Sequence, residues 1–404
     1  MRKTAICYLV LALILTLYGN GVFAQGLELD GFLESYYSVR LTDDYDFIGE
    51  RSRIRLNIRN SIDNIYMFAS LKGVSNQIIA DDNEVEIDLH EAYFEYTQAS
   101  WDVKIGRQIY SWGKADGLRI TDVLSPCDYS EYITRDFDET RIPVDSVKYR
   151  YLFPKADLEL VWIPIFTEAV YPTGKDNPWY VGTDQDATIN PAEKVEDKLK
   201  NSELAMRLSF HLKGIDFSFS TAYLWDDEPA YHLTGDHTYT PRYHRLRFLG
   251  VDLSKPVNDF VIRFESAYYQ GKYFAAENIS GVLKKDYLYS LVGLDWYPGN
   301  NWTVSTQLAS KYIFAYDNAI EEDKSQTVVT FNLTKSLFRE TFKVKNMVYY
   351  EPDQEDGFNR FSIDYAVSDS LHFLTGIDDF FGDEGQFSDY DHNDSWWIKL
   401  KYNF

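Results

Sequence analysis

The sequence predicts an all-β protein: a transmembrane, antiparallel up-and-down β-barrel of about eighteen strands, with short periplasmic turns and long extracellular loops. Three observations predict it. Most of the chain alternates apolar and polar side chains in strand-length segments, the period-two pattern of a strand with one apolar face. Short and long links alternate between those segments, as in outer-membrane barrels whose two ends lie on the short-turn side. The alternation also runs to the last residue. In "WWIKLKYNF", Trp396, Ile398, Leu400, Tyr402 and Phe404 share one face, and Trp397, Lys399, Lys401 and Asn403 the other. Soluble chains usually end on frayed polar tails, so this last strand asks for lipid.

The elements follow in order. Arg2 and Lys3 precede an apolar run from Ala5 to Tyr18, and "GVFAQ" places Val22 and Ala24 before Gln25. Residues 1–24 therefore read as a secretory signal peptide cleaved after Ala24. A signal anchor is the competing reading; the short run followed by Gly19, Asn20 and Gly21 argues against it. No later segment has the ~18–20 continuous apolar residues of a membrane helix. Residues 25–404 read as a single barrel, because no linker or composition break divides them. Eighteen strands are predicted to begin near Glu28, Gly49, Asn64, Glu86, Trp101, Val144, Ala156, Ser202, Ile215, Tyr243, Asn258, Lys285, Asn301, Ser325, Thr341, Gly357, Leu371 and Asp394. The strands through Gly106 and Gly250 need a β-bulge to stay in phase. Helical signal is confined to a turn or two in "AEKVEDKLK" and "DYSEYITRD".

Composition narrows the function classes. A net charge of −23 excludes nucleic-acid binding through a general basic surface. Cys7 leaves with the signal peptide and Cys127 has no intramolecular partner, which excludes a disulfide scaffold and Cys-based zinc. Aromatic residues gather at predicted strand ends. Trp101, Trp296, Tyr297, Trp302, Phe342 and Phe404 lie by the short turns. Trp225, Tyr268, Tyr269, Tyr312, Phe314, Phe380, Phe381 and Trp396 lie by the long loops. Two interfacial girdles are the natural reading. A soluble sandwich or propeller also alternates, but a propeller would need a repeat of ~40–50 residues that this chain lacks.

Charge sorts by location. The long loops are acidic, with Asp43, Asp44, Asp46, Asp81, Asp82, Glu84, Glu321, Glu322, Asp323, Glu351, Asp353, Glu355, Asp356, Asp383, Glu384, Asp389 and Asp391. The bland account of these is divalent-cation bridging to lipopolysaccharide, since no calcium-loop motif is present. The polar phase of the strands leans basic. In "RSRIRLNIR", Arg51, Arg53, Arg55 and Arg59 oppose Ile54, Leu56 and Ile58. Lys104, Lys148, Arg150, Arg207, Arg245, Arg247, Arg263, Lys311, Lys343, Lys345, Arg360, Lys399 and Lys401 join that phase, against fewer carboxylates, among them Glu91, Glu159, Glu265 and Asp295. Behind an acidic rim, such a lumen would favour anions; ordinary cross-strand pairing screened by water is the competing account.

The segment from Ser111 to Pro143 is the best candidate site. It joins the fifth and sixth predicted strands and carries Asp116, Asp122, Asp128, Asp136, Asp138 and Glu139, with Lys114, Arg119, Arg135 and Arg141 between them. Folded inward, it would narrow a wide barrel, its carboxylates facing the second strand's arginine row. The competing account is that Trp112, Pro126, Pro143 and the charge pairs fasten it to the wall. A second long outer loop spans residues 166–201, and whether it plugs the lumen is open.

Resemblance adds to this. The ending "YNF", with Tyr402 and Phe404, resembles the C-terminal assembly signal of bacterial outer-membrane proteins, which implies insertion by the barrel-assembly machinery. Gly106, Arg107 and Gln108, then Trp112 and Gly113, Pro126 and Asp128, and Pro143 and Val144 resemble an uncharacterised porin-like outer-membrane family (domain of unknown function). Alginate-export and phosphate-selective porins share only the Gly-Arg-Gln part. The resemblance covers Gly106 to Pro164 and implies no particular solute.

The function expected is a porin-like bacterial outer-membrane channel for passive diffusion of small hydrophilic solutes, anion-preferring and constricted by the segment 111–143. Its expected partners are outer-membrane lipid, lipopolysaccharide and the assembly machinery, with no cofactor; a homotrimer is compatible with them. Alternatives stay open. One is a non-transporting surface protein, an adhesin or assembly partner, and another a sugar channel using Tyr93, Tyr287 and Tyr289. An enzyme or metal site at His232, His237 or His392 has no supporting motif.

Overall fold

In the computed structural model residues 26–42, 45–78, 85–174, 176–182, 187–278 and 280–404 are described. The predicted signal peptide, Asp43, Asp44, Asp81, Asp82, Glu84 and the side chain of Asp138 lie outside the described residues. The strands are β1 (Glu28–Arg40), β2 (Phe47–Ile62), β3 (Ile65–Asn76), β4 (Glu86–Thr97), β5 (Trp101–Gln108), β6 (Val144–Phe153), β7 (Ala156–Ile163) and β8 (Thr188–Ile189). Then follow β9 (Glu203–Leu212), β10 (Ile215–Trp225), β11 (Ala230–Gly235), β12 (Thr238–Arg242), β13 (Arg245–Val257), β14 (Phe260–Ala275) and β15 (Val282–Trp296). The last are β16 (Trp302–Ile313), β17 (Ser325–Leu337), β18 (Phe342–Glu351), β19 (Asp356–Ala366), β20 (Leu371–Phe381) and β21 (Ser395–Asn403).

All but β8, β11 and β12 belong to one 18-stranded sheet. Each barrel strand pairs antiparallel with its sequence neighbours, and β21 returns to β1, from Phe32 opposite Asn403 to Arg40 opposite Ser395. Phe404 completes the seam: its N–H donates to Gly31 O and its carbonyl accepts from Gly31 N–H, both at 3.0 Å. Closure leaves no strand edge unpaired, which a sheet in hydrocarbon requires. Every predicted strand start falls within three residues of an observed one.

The two faces divide as alternation demands. Ile54, Leu249, Val292, Leu308 and Leu400 stand exposed on the outer face, while Arg53, Phe248, Leu291, Ala309 and Lys399, one residue away, are buried on the inner. A continuous apolar outer surface is stable only against lipid. Trp296, Tyr297, Trp302 and Phe404 stand exposed by the short turns, and Tyr312, Phe314 and Trp396 by the long loops. Two residues assigned to the outer girdle are corrected. Tyr269 and Phe380 point inward and are buried, because they share a phase with Ala267 and Asp378.

Other expectations are also corrected. Gly106 and Gly250 pair in unbroken register with Tyr93 and Ser220. Gly106 is needed for another reason. Its φ is +134°, and a Cβ there would lie 2.2 Å from Ala92 O. Register shifts occur instead after Ser38, after Ser70 and after Tyr269. Arg245 and Arg247 belong to the outward phase of β13, not the lumen. The inward phase there is apolar, Leu246 and Phe248, and joins a cluster with Ala222, Leu224, Ala267, Leu291 and Ala309. Arg245 lies over the Tyr223 and Trp225 rings at 4.7 and 4.2 Å and donates to Ser202 O. Glu351 and Asp356 are buried strand ends rather than rim carboxylates. The helical signal in "AEKVEDKLK" reduces to a 3-10 turn at Leu199–Asn201, and "DYSEYITRD" forms no helix, a short 3-10 turn at Phe137–Glu139 following it.

Candidate functional site

The segment 109–143 leaves β5 and makes two lobes, each tied to inward-pointing wall residues. The first lobe is apolar where it begins. Tyr110, Trp112, Ile120 and Leu124 pack on Val144, Val161, Ile163, Leu246 and Phe248, so this part of the wall is greasy on both faces. Polar anchors then fix it across the barrel. Glu265 on β14 accepts from the N–H groups of Lys114 and Ala115, from Thr121 N–H at 3.1 Å and from Thr121 Oγ1 at 2.9 Å. Gln307 on β16 accepts from Asp116 N–H at 3.0 Å and donates to Asp116 O at 2.7 Å. Arg263 and Tyr269 on β14 donate to Lys114 O and Ile120 O. At the tip, Tyr349 on β18 donates to the carbonyl of Gly117 at 3.1 Å. Gly117 has φ +78°, and a Cβ there would lie 2.0 Å from Tyr349 Oη, so only glycine lets the lobe reach β18.

The second lobe carries charge. Glu131 pairs with Arg51 on β2 and with Arg135 at 2.8 Å, and accepts from Asn76 at 3.2 Å. Burial pushes the Glu131 carboxyl up, but the Arg51 and Arg135 guanidiniums outweigh it and hold it well below the usual carboxylate range. Glu139 pairs with Arg53 at 2.5 Å, and Arg53 also donates to Glu34. Asp136 meets Lys399 on β21 at 3.2 Å, and that ammonium lowers its pKa despite burial. Tyr132 stacks on Tyr390 at 4.2 Å and touches Phe380.

Within the segment, Asp122 accepts from Arg141 at 2.8 Å and from Trp112 N–H at 3.0 Å. Arg135 pairs with Asp128 at 2.5 Å, and Arg119 donates to the Cys127 sulfur, Asp122 O and Ser125 O.

The predicted site residues therefore separate into groups. Arg51 and Arg53 meet loop carboxylates in direct ion pairs, not across open water. Arg59 pairs with Asp30, Arg150 with Asp102 at 2.7 Å and Lys148 with Glu159 at 3.9 Å, all among wall residues. Arg55 has no carboxylate partner among the described residues; its Nη2 lies 3.1 Å from His90 Nε2. A pocket of about 220 Å³ lies against Tyr110, Trp112, Lys148, Arg150, Glu159 and Arg207. The aromatic candidates do not form a row: Tyr287 stacks on Tyr269 at 4.5 Å, and Tyr93 sits against Phe68 with Lys104 over its ring. His232 Nε2 lies 2.8 Å from His244 Nε2, and no group of three or more metal-ligating side chains occurs among the described residues.

The outer mouth is also furnished. In the long loop, β8 adds to the β11–β12 hairpin, with Thr188 opposite Thr238. From the same loop Trp179 inserts beside Phe380 and Tyr390. Asp394 accepts from Phe380 N–H at 2.7 Å. Burial, reinforced by Asp379, Asp391 and Asp378, raises its pKa to about 6 despite that bond. Between its ordinary range and that value, the folded loop binds more protons than the unfolded chain, so loop stability rises as pH falls. Hydrogen exchange of residues 382–394 is expected to show more protection at pH ~5 than at pH ~7.5, and Asp394→Asn to flatten that difference. Equal protection at both pH values would refute it.

No family model and no curated protein matches this chain. Solved structures do. OccAB1 of Acinetobacter baumannii is similar with TM-score 0.59 at 7% identity, covering 95% of this chain and 97% of that one. This chain is an outer-membrane β-barrel. The outer membrane channel DcaP of Acinetobacter baumannii is similar at 10% identity and TM-score 0.47, over 94% and 97% of the two chains. Salmonella typhi OmpF is similar at 11% and 0.47, over 94% and 97%. At such identities the likeness concerns the fold alone. The porin-like family resemblance stays with its own motif. In the structure those residues support the loop's base: Gln108 donates to Ser146 O, Trp112 Nε1 donates to Glu159 at 2.8 Å, and Pro126 O accepts from Ile142 N–H.

Sequence reasoning missed Gln307, Tyr349, Lys72 and His90, and treated Glu265 as one wall carboxylate among several. Gln307 and Tyr349 meet partners far along the chain and His90 depends on a bulge, so no local signal marks them, whereas Lys72 faces Arg55 by ordinary alternation across one short turn.

Proposed function

We propose that this protein is a channel for passive diffusion of small hydrophilic solutes, its bore narrowed by the segment 109–143. One observation carries the reading. That segment is fastened to inward-pointing residues of β2, β14, β16, β18 and β21, on opposite sides of one closed sheet. A wide barrel crossed in this way passes solutes by the size and charge of the remaining gap. An anion preference is supported by the lumen cations that keep no carboxylate partner, though Arg51 and Arg53 no longer contribute to it. Phe404, bonded to Gly31, serves as the assembly signal. Planar-bilayer recording of the refolded barrel across a potassium chloride gradient tests the channel. Stepwise conductance is expected, with the reversal potential on the chloride side. A potassium preference would overturn the anion reading. The seating of Trp179 in the outer mouth favours a second reading, a closed surface protein, and a barrel silent in the bilayer would decide for it.

A further inference from the structure

Nearly every wall cation that points inward at mid-barrel has a carboxylate. Arg150 has Asp102, Arg207 has Asp252, Arg263 has Asp295 and Arg360 has Asp378. Lys345, closer to the short turns and opposite Thr334 and Ser362, breaks that rule singly, and Arg55 and Lys72 break it as a pair. They lie directly opposite one another in the β2–β3 ladder, on the inward phase. Like charges opposite each other on a sheet repel, and among the described residues no ion pair joins either one to a carboxylate. Arg55 Nε–H is buried with no acceptor. The nearby carboxylates are spent elsewhere: Asp128 on Arg135, Glu139 on Arg53, and Glu91 on the backbone N–H of Ile109.

The third member comes from the bulge. Ser70 pairs with Glu91 and Leu71 with Leu89, so His90 is the extra residue of β4, turned toward the same row. A guanidinium only donates, so the 3.1 Å contact from Arg55 Nη2 makes His90 Nε2 the acceptor and places the imidazole proton on Nδ1. His90 is thereby held neutral and adds a further donor beside two cations. Along β2 the row falls just past Arg51 and Arg53, on the periplasmic side of the residues that hold the loop. A solute clearing the loop's edge meets it next.

We propose that Arg55, Lys72 and His90 form an anion-binding site on the lumen wall for a compact oxyanion of two or more negative charges, a phosphate or a polycarboxylate. Charge and donor count specify that class: two cations lack a carboxylate counter-charge and a buried guanidinium N–H lacks an acceptor, and one multivalent oxyanion supplies both. The inference deepens the channel reading by naming what pauses in the bore, and it can fail separately from it.

The test is isothermal titration of the refolded mature protein in detergent at low ionic strength, with inorganic phosphate and with citrate as probes. Saturable binding at one site per chain is expected. Lys72→Gln and Arg55→Gln should each weaken it about tenfold or more, whereas Arg59→Gln, whose side chain pairs with Asp30, should leave it within about twofold. Binding of citrate alone assigns the site to carboxylates, of phosphate alone to phosphates, and of both to oxyanions in general. Absence of saturable binding by both probes, or equal weakening by all three variants, overturns the proposal. Heat-modifiable gel mobility checks folding, and Lys72→Gln carries the test where Arg55→Gln does not refold. A barrel that binds but does not conduct loses the channel and keeps the site; one that conducts without binding does the reverse.

Discussion

Replacing Glu265 with alanine is expected to destabilise the refolded barrel by about 3–5 kcal/mol and to raise its single-channel conductance. Glu265 is completely buried, yet it sits on the wall of a barrel rather than in a soluble core. Its two oxygens collect four donors from the first lobe: the N–H groups of Lys114, Ala115 and Thr121 and the Thr121 hydroxyl. Without the carboxylate those donors are stranded beside an apolar wall, each at about 1–3 kcal/mol, less whatever water can repair. Water entering there loosens the lobe from β14, which couples stability to conductance. Glu265→Gln keeps one acceptor oxygen and is expected to lose roughly half as much. Urea unfolding in lipid vesicles measures the first effect and bilayer recording the second. A stability change below about 0.5 kcal/mol would mean that the lobe does not depend on this anchor.

Strand number and strand starts were legible because lipid imposes a stricter rule than solvent does. Each outward residue must be apolar for the width of the membrane, and a one-residue slip would expose a whole polar set. The inner face carries no matching rule. β13 shows the consequence: Leu246 and Phe248 are as apolar as any outward residue, so Arg245 and Arg247 read as lumen residues when they point out. Tyr269 and Phe380 misled in the same way. The candidate segment itself was legible from its length, charge and position. Its partners were not, since Lys114 and Glu265 are 151 residues apart and Asp136 and Lys399 are 263 apart. Charge sorting found the arginine row but not its neutralisation, which depends on where a loop carboxylate comes to rest. His90 escaped because a bulge after Ser70, not alternation, brings it into the row of Arg55, which Lys72 joins through the ordinary β2–β3 register.

The pair Arg51–Glu131 is expected to behave as a buried ion pair in a double-mutant cycle, with single substitutions that differ in size. Arg51 is 3% exposed and Glu131 4%, so neither charge can turn to water when its partner is removed. Glu131→Gln leaves Arg51 with only Glu34, at 3.6 Å and already shared with Arg53. Arg51→Gln leaves Glu131 with Arg135 at 2.8 Å and the Asn76 amide. Glu131→Gln should therefore cost more, about 3–5 kcal/mol, than Arg51→Gln. The double variant should cost less than the two combined, by about 1–3 kcal/mol, because no orphaned charge remains. Moderate salt should change these values little, since the pair is shielded from the mobile ions that screen exposed bridges. Urea unfolding of the four proteins in vesicles, at two salt concentrations, measures all of this. Additive costs that shrink with salt would instead describe a water-exposed bridge. In that case the second lobe would be resting on the wall rather than fastened to it, and Arg51 would return to the set of cations that a passing solute can feel.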